Sequence, residues 1–178
     1  MNNKNDDKRA NKLTSALLRI YLVILLWVLV FKLGVRFSYM ANRSVNLIPF
    51  RAPAMANGRI DFSEMILNAV IFVLVGIYAA MLFERWNFGK RVLLCFFLSL
   101  TIEALQFILK AGSFDITDII TNTVGGLIGL IIFEVIKKIF NRHLRAQKFL
   151  NVVAAIGTTV VIVLLVLLKL NMLPIRYQ

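Results

Sequence analysis

Four polar side chains interrupt two otherwise apolar segments in the middle of the chain: Glu103, Gln106, Asp118 and Asn122. A carboxylate inside a membrane-length helix costs roughly 2.5 to 3.5 kcal/mol to insert, so such carboxylates indicate function by default. Glu103 or Asp118 can act as a general acid or base, hold a polar ligand or carry protons. In a purely structural alternative, these groups pair across helices or with Arg51, Arg59 or Lys110.

Helical spacing puts these side chains on two faces, because residues three and four apart are neighbours on a helix. One face carries Cys95, Ser99, Glu103 and Gln106, and the other carries Asp118, Asn122, Gly125 and Gly129. The second face contains Gly125 and Gly126 followed by Gly129, a G-x-x-x-G spacing that lets two transmembrane backbones approach closely. We therefore expect another helix to pack there.

The composition identifies the class of protein. The chain has 178 residues, 60% of them hydrophobic, and a mean hydropathy of +0.80, which is too apolar for a soluble domain of this size. Its net charge of +12 comes from Lys and Arg that lie between apolar runs, which argues against nucleic-acid binding. A single cysteine, Cys95, excludes an intramolecular disulfide.

Five apolar runs predict an all-α integral membrane helix bundle, with the first run retained rather than cleaved as a signal peptide. The predicted spans are Leu13–Leu33, Met65–Phe83, Val92–Leu109, Ile116–Ile136 and Val152–Leu168. Residues 1–12 are expected to form a cytoplasmic tail with nothing to bury, and 13–45 the first span and the start of an outer loop. Residues 46–136 form the core, and 137–178 hold a basic inner loop, Lys137–Lys148, and the fifth span.

The first connection, Gly34–Ser63, is too long for a plain turn, and its apolar segment Asn46–Phe50 predicts a partly re-entrant extracellular loop; a disordered loop is the alternative. Asp61, followed by Glu64, is expected to cap the second helix. Gly112 is expected to end the third helix, and Asp115 or Thr117 to cap the fourth.

Lys and Arg favour the cytoplasmic side in short connections, which predicts a cytoplasmic N-terminus and an extracellular C-terminus. This orientation places the arginines of the first loop on the extracellular side, where they can bind an anion. It also brings Asn68 to the outer level reached by Glu103 and Asp118. We therefore expect one polar pocket in the outer leaflet.

The chain resembles the VanZ-like family of bacterial membrane proteins from Asn46 to about Ile136. The resemblance rests on N-L-x-P-F at Asn46–Phe50, the pair Asn68 and Phe72, S-x-x-x-E-x-x-Q at Ser99–Gln106, and D-x-x-D-x-x-x-N-x-x-G-x-x-x-G at Asp115–Gly129. Where family members generally carry an arginine, this chain has Gly112; Lys110 can supply a charge there, but not a planar fork. The resemblance implies low-level resistance to teicoplanin-type glycopeptides or lipopeptides and supplies no known reaction.

Three hypotheses follow for the pocket. The first is a non-catalytic site for an amphiphile or a lipid-linked cell-wall component, surrounded by membrane lipids. Its expected ligand-binding residues are Asn46, Pro49, Phe50, Arg51, Asn68, Ser99, Glu103, Gln106, Asp115, Asp118 and Asn122. The second is an enzyme with Glu103 or Asp118 as acid or base, and the least favoured is a proton-coupled transporter.

No cofactor is expected at the pocket. The alternative is a hard divalent cation held by carboxylate and amide oxygens. His143, the only histidine, is expected to be solvated in the basic loop, so neither a histidine metal ligand nor a Ser-His nucleophile with Ser99 is available. The oligomeric state is left open.

Overall fold

The computed structural model describes residues 2–31, 45–50, 55–56, 59–60 and 62–169. This part of the chain contains five α-helices: α1 (Asn2–Phe31), α2 (Ser63–Leu82), α3 (Phe88–Ile108), α4 (Ile116–Phe140) and α5 (His143–Lys169). Each helix is long and apolar enough to cross a membrane. The predicted all-α, multi-pass membrane bundle is therefore confirmed.

Four strands of two residues each accompany the helices: β1 (Val45–Asn46), β2 (Met55–Ala56), β3 (Arg59–Ile60) and β4 (Phe114–Asp115). β2 and β3 pair antiparallel within the first connection. β1 pairs parallel with β4, which lies between α3 and α4. The segment Asn46–Phe50 is thereby attached to the α3–α4 connection, while its re-entrant placement in a membrane stays a prediction.

Helix α4 is the centre of the bundle and packs against α2, α3 and α5. It runs parallel to α2 at backbone contact: a Cβ added at Gly125 or Gly129 would overlap a carbonyl oxygen of α2, from Ala69 or Val73. A Cβ added at Gly76 of α2 would overlap the carbonyl oxygen of Gly126 in the same way. Only glycine allows the two helices to approach this closely.

Helix α1 begins at Asn2, so the expectation of a polar tail with nothing to bury is wrong for the described residues of that segment. Ala10 is buried, and so is Thr14 one turn later. Both contact α5, where the Thr14 hydroxyl lies 2.9 Å from Oδ1 of Asn151 and the Asn151 amide donates to the Ala10 carbonyl. Polar groups that satisfy one another allow the helix to continue past its apolar part.

The expected basic loop at Lys137–Lys148 is also wrong. Helix α4 continues to Phe140, and Asn141, in the left-handed conformation at φ 56°, ends it. Helix α5 begins at His143, which leaves a turn of two residues. The basic residues therefore lie mostly on two helix ends. Cations near the last turn of α4 interact favourably with the negative end of its helix dipole.

His143 is not solvated as expected, because it is packed inside that turn. Its Nε2 lies 3.1 Å from the Met81 carbonyl oxygen, and its ring centroid lies 5.1 Å from that of Phe133. Its Nδ1 lies 3.4 Å from a carboxylate oxygen of Glu84. The imidazole thus joins the start of α5 to the end of α2.

Arg91, expected in a short loop, lies in the first turn of α3 and is buried. Its guanidinium donates to the carbonyl oxygens of Phe83 and Glu84, over 3.0 and 2.8 Å, and lies 3.3 Å from the Glu134 carboxylate. A helix end leaves carbonyl oxygens without intrahelical partners. Arg91 therefore caps the C-terminal end of α2 and ties it to α4.

Two predicted helix ends also differ. The N-cap of α2 is Phe62, with no side-chain cap hydrogen bond, and Asp61 lies outside the described residues. Helix α3 is ended by Lys110 at φ 55° rather than by Gly112. The Lys110 and Ala111 N–H groups donate to the carbonyls of Phe107 and Gln106, which is the Schellman arrangement.

The bundle thus has two ends of different character. The polar end contains β1, β4, the last turn of α3 and the first turns of α2 and α4. The basic end contains the first turns of α1, α3 and α5, linked by contacts such as that between Asp6 and Lys148.

Candidate functional site

The candidate site lies at the polar end, where the chain reverses between α3 and α4. The Schellman turn after α3 leads into β4, and Asp115 then caps α4, its Oδ1 accepting the Thr117 N–H over 2.7 Å. This confirms Asp115 as the cap and leaves its second carboxylate oxygen available on the other side.

The second carboxylate oxygen of Asp115 accepts a hydrogen bond from the first connection. Nδ2 of Asn46 donates to Oδ2 of Asp115 over 3.0 Å, beside the backbone pairing of the same two residues in β1 and β4. Two residues further along, in the first turn of α4, the Thr117 hydroxyl accepts the Phe50 N–H over 3.1 Å. Two side chains at the start of α4 therefore hold both ends of the segment Asn46–Phe50.

Glu103 joins α3 to the same group. Its side chain is 2% exposed, and its Oε2 accepts the backbone N–H of Asp115 over 3.1 Å. Asn46, Asp115 and Glu103 thus form a continuous hydrogen-bonded chain across three segments. In this position the Glu103 carboxylate fixes the β4 backbone, which is a positioning task.

One turn deeper, Asn122 of α4 donates from Nδ2 to the Ser99 hydroxyl of α3 over 2.9 Å. Asn122 is 1% exposed, and within the described part of the chain its Oδ1 has no hydrogen-bond partner. A buried amide oxygen without a donor costs free energy, about 1 to 3 kcal/mol. It is the kind of group that a bound water or ligand donor would satisfy.

Asn68 lies at the same depth on α2. It precedes Phe72 by one helical turn, and the Phe72 carbonyl oxygen is 3.9 Å from the position of a Cβ on Gly126. Gly126 in turn follows Asn122 by one turn, and both amides are buried. Asn68, Ser99 and Asn122 therefore form a polar layer above the apolar contact of Phe72 and Cys95.

The remaining predicted residues lie around these groups. Gln106 is buried in the last turn of α3, and Asp118 is half-buried in the first turn of α4, where a negative charge suits the helix dipole. Phe50 is 57% exposed, and Pro49 is also exposed, so they form a rim and not a buried wall. Arg51 lies outside the described residues.

Sequence reasoning gave Thr117 only as a possible helix cap, whereas the structure makes its hydroxyl the anchor for Phe50. The single signal was its place two residues after a cap aspartate. At Gly112, a Cβ would meet Gln106 at 3.9 Å, so a longer side chain at this position would stand beside Gln106. Among the described residues, no group of three His, Cys, Asp or Glu side chains is placed to hold a metal ion.

Comparison with known proteins identifies the family. The VanZ/LLP1 family model matches residues 18–138. The chain belongs to the VanZ/LLP1 family. Protein VanZ of Enterococcus faecium is 38% identical over 157 residues, which cover 86% of this chain and 91% of that protein. No solved structure matches the chain.

The VanZ/LLP1 match begins in α1 and ends in the last turn of α4, so it extends beyond the Asn46–Ile136 region that carries the motifs. It includes β1, β4 and every residue of the polar layer. Helix α5 lies outside the VanZ/LLP1 match, although it packs along α1.

Proposed function

We propose that the chain lowers susceptibility to teicoplanin-type glycopeptide or lipopeptide antibiotics by binding an amphiphile or a lipid-linked cell-wall component at the polar end. Membership of the VanZ/LLP1 family and the 38% identity to Protein VanZ support the resistance role. The observation that carries the binding role is the hydrogen-bonded chain of Asn46, Asp115 and Glu103.

That chain builds a surface suited to an amphiphile. It holds an exposed apolar segment, with Leu47 at 63%, Ile48 at 53% and Phe50 at 57% exposure, next to buried polar groups. Binding sites for small molecules combine apolar walls with a few placed polar groups. An acyl chain would contact the exposed segment, while hydroxyl, amide or N–H groups of the ligand would reach the polar layer.

The charge of the opposite end supports an extracellular position for this surface. Arg85, Lys90, Lys137, Lys138 and Arg142 lie near the basic end, and short basic connections favour the cytoplasm. The polar end then opens to the outer leaflet, where glycopeptides and lipid-linked wall components are found.

Binding is favoured over catalysis by the engagement of Glu103, one of the two candidate acids, and of the neighbouring Asp115. A general base needs an oxygen within reach of the proton it removes, and in this structure Oε2 of Glu103 accepts a backbone N–H that orders β4. Asp115 uses its two oxygens for the α4 cap and for Asn46. These carboxylates build the surface on which a ligand rests.

The test is teicoplanin susceptibility of cells that express Asn46→Ala, Glu103→Ala, Asp115→Ala and their pairwise combinations at matched membrane abundance. We expect each single change to remove most of the resistance and each pair to add little, because groups of one network are non-additive. Asn87→Ala, which removes the N-cap of α3 at the basic end, is the matched control.

Wild-type resistance in all three single variants would refute the site. Strictly additive losses would argue for separate roles of the three residues. An equal loss of resistance in Asn87→Ala would mean that the variants lose resistance through lower protein stability and not through the site. If the single variants lose resistance while teicoplanin still protects the purified variants against heat, binding survives without function, and the enzymatic alternative gains support.

A further inference from the structure

A cleft of about 870 Å³ opens at the basic end of the bundle. Its walls come from the first turns of α1, the connection between α2 and α3, and the first turns of α5. The volume falls in the range of small-molecule sites, which is about 300 to 1,000 Å³. The cleft shares no residue with the polar layer at the other end.

Two of the acidic groups in the cleft have close neighbours. The Asp6 carboxylate lies 2.8 Å from Lys148, and a carboxylate oxygen of Glu84 lies 3.4 Å from Nδ1 of His143. Three arginines and one further carboxylate also line the cleft: Arg85, Arg142, Arg145 and Asp7. Within the part of the chain that the structure describes, none of these arginines forms an ion pair.

Helix α5 adds to this positive character. Arg142 and Arg145 stand at its start, and its first turn contains no acidic residue. The N–H groups of a first helical turn have no intrahelical acceptor and carry the positive end of the helix dipole. Arg142 and Arg145 therefore line the cleft at the positive end of the α5 dipole, and Arg85 lines it from another element.

The connection between α2 and α3 supplies an aromatic wall. Trp86 lines the cleft beside Arg85 and stacks on Phe83 with ring centroids 4.4 Å apart. Tryptophan is enriched at membrane interfaces, where one side of the ring is apolar and the other contacts water. We therefore expect the cleft to lie at the depth of lipid headgroups, with an aromatic ring at its edge.

We propose that this cleft binds a phosphate group through Arg85, Arg142 and Arg145, independently of the function proposed for the polar end. Guanidinium groups hold phosphate oxygens through two parallel N–H bonds, and basic pockets between transmembrane helices on the cytoplasmic side suit anionic lipid headgroups. A phospholipid headgroup and a soluble phosphate compound share this chemistry. The position at headgroup depth favours the lipid.

The test uses the full-length protein purified in a neutral detergent, titrated with phosphatidylglycerol, with phosphatidylcholine, or with sodium phosphate. Bound lipid is counted by native mass spectrometry, and protection is measured by thermal unfolding. The variant is Arg142→Gln with Arg145→Gln. Its control, Lys12→Gln with Lys138→Gln, removes two exposed cations that do not line the cleft.

We expect phosphatidylglycerol to bind and protect the wild type and the control. Phosphatidylcholine should bind and protect much less, because the arginines repel the choline cation beside its phosphate. The half-saturating concentration of phosphatidylglycerol should rise about tenfold or more in the double arginine variant, because each lost charge-assisted hydrogen bond is worth about this factor. Protection by sodium phosphate that disappears in the same variant would also support the site and would assign it to a soluble ligand.

Arg85→Gln provides a second measurement, since this residue belongs to another connection and its loss should weaken phosphatidylglycerol binding without altering α5. Equal affinity of the wild type and the arginine variants for both phosphate probes would overturn the proposal. An equal loss in the lysine control would also overturn it, because the attraction would then come from the net charge of the surface.

Discussion

Nδ2 of Asn46 donates a hydrogen bond to Oδ2 of Asp115 over 3.0 Å, across 69 residues of sequence. The same two residues are paired in the backbone of β1 and β4. Asp115 also caps α4 and donates its N–H to Glu103, so one residue connects the first connection with two helices. The stability of the polar end should therefore depend on both members of this pair together.

We expect Asn46→Ala and Asp115→Ala to be coupled. Each change should lower the free energy of unfolding, and the double variant should lose less than the sum, with a coupling of about 0.5 to 3 kcal/mol for residues in direct contact. The measurement is thermal or denaturant unfolding of the purified proteins in one detergent.

The control cycle combines Asp115→Ala with Asn87→Ala. Asn87 caps α3 by accepting the Lys90 N–H over 2.8 Å, and its loss should cost about 1 kcal/mol at the opposite end of the bundle. These two losses should add. A coupling as large as that with Asn46 would mean that the cycle reports global loosening and not the contact.

The contact of α2 with α4 predicts opposite effects of the same substitution at different glycines. Gly125→Ala and Gly129→Ala should each cost about 1 to 3 kcal/mol, because the new methyl group overlaps a carbonyl oxygen of α2 and forces the helices apart. Leucine at either position should prevent assembly of the bundle. Thermal unfolding in detergent, with recovery of monodisperse protein, measures both effects.

Gly157→Ala and Gly112→Ala are the matched controls. A Cβ at Gly157 meets nothing within 4 Å, and one at Gly112 meets only Gln106 at ordinary contact distance. Alanine in helix α5 should be neutral or stabilising by up to about 1 kcal/mol. If all four alanine variants unfold at the same temperature, close backbone packing does not stabilise this bundle.

The sequence predicted the helices better than the contacts between them. Long apolar runs identify spans directly, and the D-x-T pattern at Asp115 predicts a cap. The pairing of β1 with β4 has no such signal, because strands of two residues show no periodicity. Asn46 was therefore selected by a motif, while its partner Asp115 and the role of Thr117 became visible only in three dimensions.

The polar ends of α1 and α5 were missed for a different reason. Hydropathy treats Asn11, Thr14, Gln147 and Asn151 as groups that seek water, whereas here they satisfy each other between two parallel helices. The spacings N-x-x-T and Q-x-x-x-N place each pair on one helix face. Each spacing is common by itself, so neither predicts the contact between α1 and α5 unless the partner helix is known.

This polar contact gives a further prediction. Asn151→Leu should lower the free energy of unfolding by about 1 to 2 kcal/mol, because α5 loses its bonds to the Thr14 hydroxyl and the Ala10 carbonyl, which then keep their bond to each other and the bond from Gln147. Thr159→Val is the control, since this exposed threonine bonds only to Ala155 of its own helix. Equal unfolding temperatures of the two variants would contradict a stabilising role for the α1–α5 contact.

The orientation in the membrane is tested by labelling single cysteines with a membrane-impermeant maleimide in intact cells. Both cysteines are introduced into a Cys95→Ala background, which removes the native thiol buried beside Gly126. Ser113→Cys lies at the polar end, and Lys138→Cys is exposed in the last turn of α4 at the basic end. Since basic connections favour the cytoplasm, we expect labelling at position 113 in intact cells and at position 138 only after permeabilisation. The reverse pattern would place the polar layer in the inner leaflet and would exclude an extracellular ligand for it.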